Sequence, residues 1–475
     1  MSRPAAAVHH VIKAYDVRGL VGDEIDESFV TDVGAAFARL VRGVGGQPSD
    51  CASGTEDPAE QVVIGHDMRE SSPALAAAFA AGVTAQGLNV VRIGLASTDQ
   101  LYFASGFLDC PGAMFTASHN PAAYNGIKLC RAGAKPVGKN TGLSTISEDV
   151  ISGVPPYDGS PGTVVDKDVL ADYGEFLRSL VNLSGLRPLR VAVDAGNGMA
   201  GHTTPAVLGP LPSITVQPLY FDLDGSFPNH EANPLDPANL VDLQRHVIAT
   251  RADIGLAFDG DADRCFVVDE KGCPVSPSAV TALVAARELE REIGATVIHN
   301  LVTSRAVPEL VVERGGTPIR SCVGHSYIKA LMADTGAIFG GEHSAHYYFR
   351  DFWGADSGML AALHVLAALS EQQRPLSELM ADYQRYATSG EINFTVDDAT
   401  ACIDTVLKSF GTRIQSIDRL DGVTVDLGEG TWFNLRTSNT EPLLRLNVEA
   451  RSTADVDRVV EQVAAQIGSH AKATT

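Results

Sequence analysis

The sequence predicts an α/β protein: three related domains built on mixed sheets, followed by a smaller C-terminal α+β domain. Three observations point there. One local pattern recurs, an apolar β-branched run, then a polar or glycine turn, then a helix, which is the signature of βαβ units. That pattern gives way near the C-terminus to close-set strands and one closing helix. The length of 475 residues also exceeds what one core organises, because single cores stop growing near roughly 250–300 residues and domains average about 150.

Taken in order, Val62-Val63-Ile64 is the first clear strand, and Ser71-Ser72-Pro73 places a serine cap and a proline at the start of a helix over 74–86 that stops at Gly87. A strand over 89–93 follows. The pattern returns at Arg190-Val191-Ala192-Val193-Asp194 before Gly196-Asn197-Gly198, and again at Thr296-Val297-Ile298-His299 before Thr303-Ser304. In the C-terminal part, 421–427 and 432–435 form paired strands about Gly428-Glu429-Gly430. A further strand covers 443–448, and an amphipathic helix covers 454–467. Linkers are expected at 153–162, near 271–276 and near Gly390. The polar stretch 47–60 is expected to be a surface insert. Boundaries follow at 1–152, 153–273, 274–388 and 389–475.

Composition narrows the function classes. Charged residues make up 20% and hydrophobic ones 45%, the balance of an ordinary globular protein. No run of about 18 apolar residues marks a transmembrane helix, and no secretory signal opens the chain. With 36 basic and 58 acidic residues the net charge is −22, which disfavours nucleic acid and anionic membranes in the absence of a basic cluster. An anionic substrate then requires a local gathering of Arg and Lys. Seven scattered cysteines without a CxxC pair fit a reducing, cytoplasmic setting.

Five constellations carry chemistry. Asp259, Asp261 and Asp263, with Arg264 after them, lie between apolar runs. Three such carboxylates cannot be buried unpaired, and their oxygens suit a hard cation, Mg2+ or Ca2+. Glu270 falls at position 12 of an EF-hand count, but Arg264 replaces the glycine at position 6 and the flanks read as strands. A calcium-binding module is therefore a minor alternative. Next, Ser118 and His119 sit on a tight turn made by Asn120-Pro121, with Lys128 ten residues on, so Ser118 is a candidate nucleophile. The elbow GxSxG is absent. A third group, Arg436, Ser438, Asn439 and Thr440 with Arg445, offers the donors that a phosphate dianion needs. Glu342 and Ser344, two apart, can take adjacent sugar hydroxyls. Lastly, Gly196, Gly198 and Gly201 match GxGxxG after a strand, which supports an alternative reading as a nicotinamide-dependent oxidoreductase, but Asp194 and Ala195 precede the first glycine and would set a carboxylate beside the pyrophosphate, so the glycines read first as structural.

Together these motifs resemble the α-D-phosphohexomutase family, in its phosphomannomutase/phosphoglucomutase branch. The order of the Ser118, Asp259, Glu342 and Arg436 loops matches, and Tyr15-Asp16-Val17-Arg18-Gly19 is similar to the family's opening YDxRG. The resemblance covers essentially the whole chain and implies four domains around a central cleft. It implies a mutase that interconverts hexose 6-phosphate and hexose 1-phosphate, with mannose preferred and glucose accepted, through a phosphoserine at Ser118 and a hexose 1,6-bisphosphate. One Mg2+ per chain would be held by Ser118, Asp259, Asp261 and Asp263. Arg18, Lys128 and Arg264 would neutralise the reacting phosphate, with His119 beside it. Arg436, Ser438, Asn439, Thr440 and Arg445 would grip the other phosphate. Tyr15, Glu342, Ser344 and His346 would contact the sugar phosphate, and His325 and His346 would lie near the transferred group or move protons. The expected partners are small sugar phosphates, and the expected state is a monomer or weak homodimer. His343, Ala345, Val302 and Asp99 depart from residues common in the family, and Asp99 has no assigned role.

Overall fold

A computed structural model describes residues 3–43, 60–437 and 443–468. The insert at 47–59 and Ser438, Asn439 and Thr440 lie outside the described residues. The chain divides into two compact units, one of Met1–Val275 with Ser344–Ser377, the other of Ser276–His343 with Glu378–Thr475.

The first unit holds two mixed sheets. One runs in the order Val17–Leu20, Tyr124–Arg131, Gly112–Phe115, Gln61–His66, Asn89–Leu95 and Val164–Asp166, with Lys135–Pro136 added beside Tyr124–Arg131. Gln61–His66 lies parallel to both its neighbours, whereas Tyr124–Arg131 runs antiparallel to all three of its own. Val62, Val63 and Ile64 are at most 2% exposed, as a strand covered on both faces requires. Helices Glu27–Val41, Ser72–Ala85 and Leu143–Ser152 share one core with this sheet, through Phe29, Phe37, Phe79 and Ile146. The expected serine cap is absent: Ser71 stands at the N-cap without a capping bond, because its hydroxyl accepts from Asn125 Nδ2 at 2.8 Å. Residues 153–163 contain no helix or strand, and Val164–Asp166 then pairs with Asn89–Leu95, so the first sheet draws a strand from beyond residue 152.

The second sheet runs Pro274–Val275, Cys265–Asp269, Ile254–Phe258, Leu189–Asp194, Ile214–Leu219. Leu189–Asp194 is parallel to both neighbours, and Ile254–Phe258 turns back antiparallel into Cys265–Asp269. The segment 344–377 belongs to this unit. It supplies the antiparallel pair Tyr347–Phe349 and Ala355–Asp356 and the helix Gly358–Ser370, every residue of which is buried.

The second unit carries three parallel strands, Thr317–Ser321, Thr296–Asn300 and Phe339–Gly341, in that order. Its other sheet is wholly antiparallel, in the order Ala387–Thr395, Leu443–Ala450, Thr431–Thr437, Val423–Gly428, Ser416–Asp418. Helices Ala399–Phe410 and Thr453–Ile467 share its core. Among the described residues, no helix is long and apolar enough to cross a membrane.

Candidate active site

Ligand-binding groups in α/β sheets gather beyond the carboxyl ends of parallel strands, and the first unit follows that rule. Gly112–Phe115 leads into Thr116 and Ser118, Asn89–Leu95 into Thr98, and Ile254–Phe258 into Asp259. The loop after Phe115 is tight. Ser118 N–H donates to Thr116 Oγ1 at 2.9 Å, Asn120 N–H to the Ala117 carbonyl at 3.0 Å, and Ser118 holds φ of +50°.

The Ser118 hydroxyl donates to Asp259 Oδ2 at 2.9 Å. It also lies 3.1 Å from His119 Nδ1, which is 2.6 Å from Arg264 Nη2. Burial, with Arg264 and Arg18 nearby, holds His119 well below the usual imidazole range. A neutral ring accepting from Arg264 follows.

Asp259, Asp261 and Asp263 are at most 1% exposed, and one carboxylate oxygen from each lies within 4.8 Å of the others. Strand pairing places Phe258 opposite Cys265, so the six intervening residues form a closed loop between strands, and the EF-hand alternative lacks its helices. Two cations balance this cradle. Lys128 Nζ donates to Asp261 Oδ2 and Asp263 Oδ2, each at 2.6 Å, and Arg264 Nε donates to Asp259 Oδ2 at 2.8 Å. Burial opposes ionisation of Asp261, but Lys128 and the Thr98 hydroxyl, 2.5 Å from Asp261 Oδ2, hold it below the usual carboxylate range. Burial pushes Asp259 upward, with Arg264 opposing. Asp261 Oδ1 and Asp263 Oδ1 are buried without a hydrogen-bond donor. Buried oxygens without donors are costly, and a hard cation bound by an all-oxygen set would satisfy them. The residues present therefore fit a metal ion.

Arg18 joins the same cluster: its Nη1 donates to Asn120 Oδ1 at 2.6 Å and its Nη2 to Asp16 Oδ2 at 2.5 Å. Tyr15 is half-buried just before it. His346 Nδ1 lies 2.9 Å from Asp356 Oδ2. Burial disfavours the His346 cation, yet Asp356 and Asp263 raise its pKa above the ordinary value. Ser344 is half-buried in the same unit.

In the second unit, Glu342 Oε1 accepts from Gly324 N–H and from Asn300 Nδ2, both at 3.1 Å. That joins the Glu342 loop to the start of the helix His325–Thr335. Arg436 and Arg445 both reach Glu391, each at 3.2 Å, and the buried Arg436 Nε has no acceptor among the described residues.

Sequence reasoning missed Thr98, Arg69, Asp356, Asn300 and Glu391. Thr98 had a signal, since it follows a parallel strand as Thr116 does. Glu391 had none, because only strand pairing brings it to the arginines. The Gly196-Gly198-Gly201 run is structural, as its first reading had it. A Cβ on Gly198 would lie 2.7 Å from the Gly260 carbonyl, and one on Gly201 2.3 Å from that of Phe221. Asp194 takes the Gly196 N–H at 2.9 Å and lies 3.1 Å from His230 Nε2. The chain itself fills the space a pyrophosphate would need.

Comparison with known proteins agrees with this geometry and lends the oxidoreductase alternative no support. The chain matches the phosphoglucomutase/phosphomannomutase alpha/beta/alpha domain I over residues 9–152, domain II over 171–272, domain III over 276–386 and the C-terminal domain over 391–466. It is 40% identical over 445 residues to a protein of Xanthomonas campestris pv. campestris named phosphohexose mutases, covering 93% of this chain and 95% of that one. It is 38% identical over 451 residues to the phosphomannomutase of Escherichia coli K12, covering 92% and 94%. A crystal structure of a phosphoglucomutase/phosphomannomutase family protein from Burkholderia thailandensis superposes with a TM-score of 0.85 at 31% identity, covering 99% and 98%. A serine against an acidic cradle, carried on a chain that follows such relatives from end to end, places this protein in the phosphoglucomutase/phosphomannomutase family, as a hexose phosphate mutase.

Proposed function

We propose that Ser118 is the phosphoryl carrier of a mutase that interconverts hexose 6-phosphate and hexose 1-phosphate, with mannose preferred and glucose accepted. The observation that carries this is the 2.9 Å contact between the Ser118 hydroxyl and Asp259, inside three buried carboxylates. Phosphoryl transfer needs positioning and charge stabilisation more than covalent assistance, and the site is rich in both. In the forward half-reaction, the bond between phosphorus and Ser118 Oγ breaks as a sugar hydroxyl oxygen bonds phosphorus, and the hydroxyl proton passes to a base. The resulting hexose 1,6-bisphosphate turns over, and its other phosphate returns to Ser118 by the reverse step.

Asp259, Asp261 and Asp263 would hold Mg2+, one per chain, which neutralises charge on the phosphoryl oxygens when bound. Lys128 and Arg264 stand beside the carboxylates and Arg18 beside the serine loop, ready to offset the anionic group on a chain of charge −22. The Asp356 carboxylate orients His346 and raises its proton affinity, which suits a group that shuttles the sugar-hydroxyl proton. His325 lies near the transferred group or shares in proton transfer, and Glu342, Tyr15 and Ser344 serve the sugar phosphate. Arg436 and Arg445, with Ser438, Asn439 and Thr440 from the adjoining loop, bind the phosphate that is not reacting. Domain boundaries at 1–152, 153–273, 274–388 and 389–475 accompany this reading, with a cytoplasmic, monomeric or weakly dimeric protein.

Intact-mass measurement tests it. The purified chain should carry a fraction with one added phosphoryl group, mapped to Ser118, that turnover exchanges for the substrate's own phosphate, as the mass shift with mannose 6-phosphate labelled with oxygen-18 on its non-bridging phosphate oxygens would show. A phosphoryl group that takes up no label during turnover would rule the carrier role out.

A further inference from the structure

Arg69 lies just past the strand Gln61–His66, and its side chain is 1% exposed. A guanidinium has five N–H donors in a fixed planar fork, and here the fork is spent on one loop. Nη2 donates to the carbonyls of Ser118 at 2.9 Å and Asn120 at 2.7 Å. Nη1 donates to those of Pro121 at 2.9 Å and Tyr124 at 3.0 Å. Nε donates to Asp67 Oδ2 at 3.2 Å. Asp67 is itself fixed by the Ser72 hydroxyl at 2.6 Å, and Phe227 covers the guanidinium at 5.2 Å from its ring centre. A charge this deep persists only when paired and fully hydrogen-bonded, and both conditions hold.

The Ser118 carbonyl that Arg69 grips is also hemmed in from the metal loop. A Cβ on Gly260 would lie 2.4 Å from it. Gly260 in turn is set by Met199 N–H, which donates to its carbonyl at 2.9 Å, and by Gly198, whose lack of a Cβ admits that carbonyl. Ser118 itself stands at φ +50°, a conformation that a serine holds only when its surroundings impose it.

We propose that Arg69 is a positioning residue for the phosphoryl carrier: it clamps the 118–124 loop by its carbonyls, against the backstop of Gly260 and Gly198, and so holds the Ser118 hydroxyl in line for transfer. The inference rests on the phosphoserine reading. Among the described residues no hydrogen bond joins Arg69 to the Ser118 hydroxyl or to any of the three aspartates; four of its side-chain donors end on backbone carbonyls and the fifth on Asp67. Its loss therefore acts on the transfer step rather than on sugar binding.

The test compares wild type with Arg69→Lys and Arg69→Ala under saturating Mg2+, with hexose 6-phosphate as substrate. Lysine keeps the charge but cannot hold four carbonyls. A misplacement of about 1 Å costs roughly 100-fold in rate, so kcat of Arg69→Lys should fall about 100-fold while KM stays within about threefold. Millimolar guanidinium chloride should restore at least about tenfold of the Arg69→Ala rate, while leaving wild type and Ser118→Ala unchanged. An Arg69→Lys enzyme with near-normal kcat overturns the proposal. So does a KM rise that accounts for the whole defect, a failure of guanidinium to rescue, or loss of cooperative unfolding in Arg69→Lys, which would give Arg69 to the fold as a whole. A wild-type chain without mutase turnover would sink the mutase reading and this proposal together, whereas normal wild-type turnover with an indifferent Arg69→Lys sinks this proposal alone.

Discussion

Arg436 and Arg445 stand directly opposite each other on the antiparallel strands Thr431–Thr437 and Leu443–Ala450. Like charges in that position repel. Glu391 on the neighbouring strand offsets this by reaching both, at 3.2 Å each. One carboxylate leaves the pair with a net positive charge, and among the described residues Arg436 Nε still lacks an acceptor. Arg436→Met should therefore weaken hexose phosphate binding. Hydrogen bonds to charged groups contribute about 1.5–3 kcal/mol, so KM should rise roughly 10- to 150-fold with a smaller change in kcat. An unchanged KM in steady-state assays would remove Arg436 from the phosphate grip.

Ser118→Ala should abolish turnover and leave the fold intact. The hydroxyl makes one buried hydrogen bond to Asp259, and such bonds contribute about 1 kcal/mol net. Unfolding by denaturant should therefore shift by about that much, while hexose 6-phosphate is no longer converted.

An acidic cradle that holds Mg2+, as proposed, should make stability depend on that ion. A ligand that binds only the folded state adds about 2.7 kcal/mol at 100 times its Kd, so chelator-treated protein should melt at a lower temperature and recover with added Mg2+. Asp261→Asn removes one proposed ligand and half of the Lys128 pairing. It should flatten that response and abolish turnover, as thermal melts across a Mg2+ series would show.

Asp99 gives a pH prediction. Its carboxylate is fully buried. It accepts from Tyr173 Oη at 2.7 Å and Ser357 Oγ at 2.6 Å, and also from the Ser97 hydroxyl. Burial outweighs these donors and pushes its pKa up to about 6. Because the unfolded value is near 3.8, the folded state binds more protons between those limits. This group's contribution is thus present below about pH 4 and lost as pH rises through about 6. Asp99→Asn keeps an acceptor without the charge. Its stability relative to wild type should improve between pH 5 and pH 7.5, the reverse of the usual carboxylate case. Parallel denaturation curves at the two pH values would contradict it.

Much of this was legible before any coordinates. Val62-Val63-Ile64 and Ile254 to Phe258 read as strands because both faces are buried, which leaves a continuous apolar run. Asp259, Asp261 and Asp263 stood out because nothing else explains three carboxylates between two strands. Other features depend on contacts that spacing cannot encode. Thr98 reaches Asp261 across 163 residues, and Glu391 meets the arginines only through strand register. The return of Ser344–Ser377 to the first unit is likewise invisible, since its helix is apolar on all sides and would suit any core. The glycine run carries two readings in sequence, of which the structural one holds, because backbone packed on backbone wants the same residues as backbone packed on phosphate.

The knot at Asp99 also orders events in time. Its partner Ser357 lies 258 residues downstream. At about 5–20 residues per second, a ribosome would deliver that hydroxyl roughly 13–50 s after Asp99 emerges. A nascent chain halted before residue 344 would hold the carboxylate with two of its three donors, leaving the first unit unfinished however well its own sheet had formed.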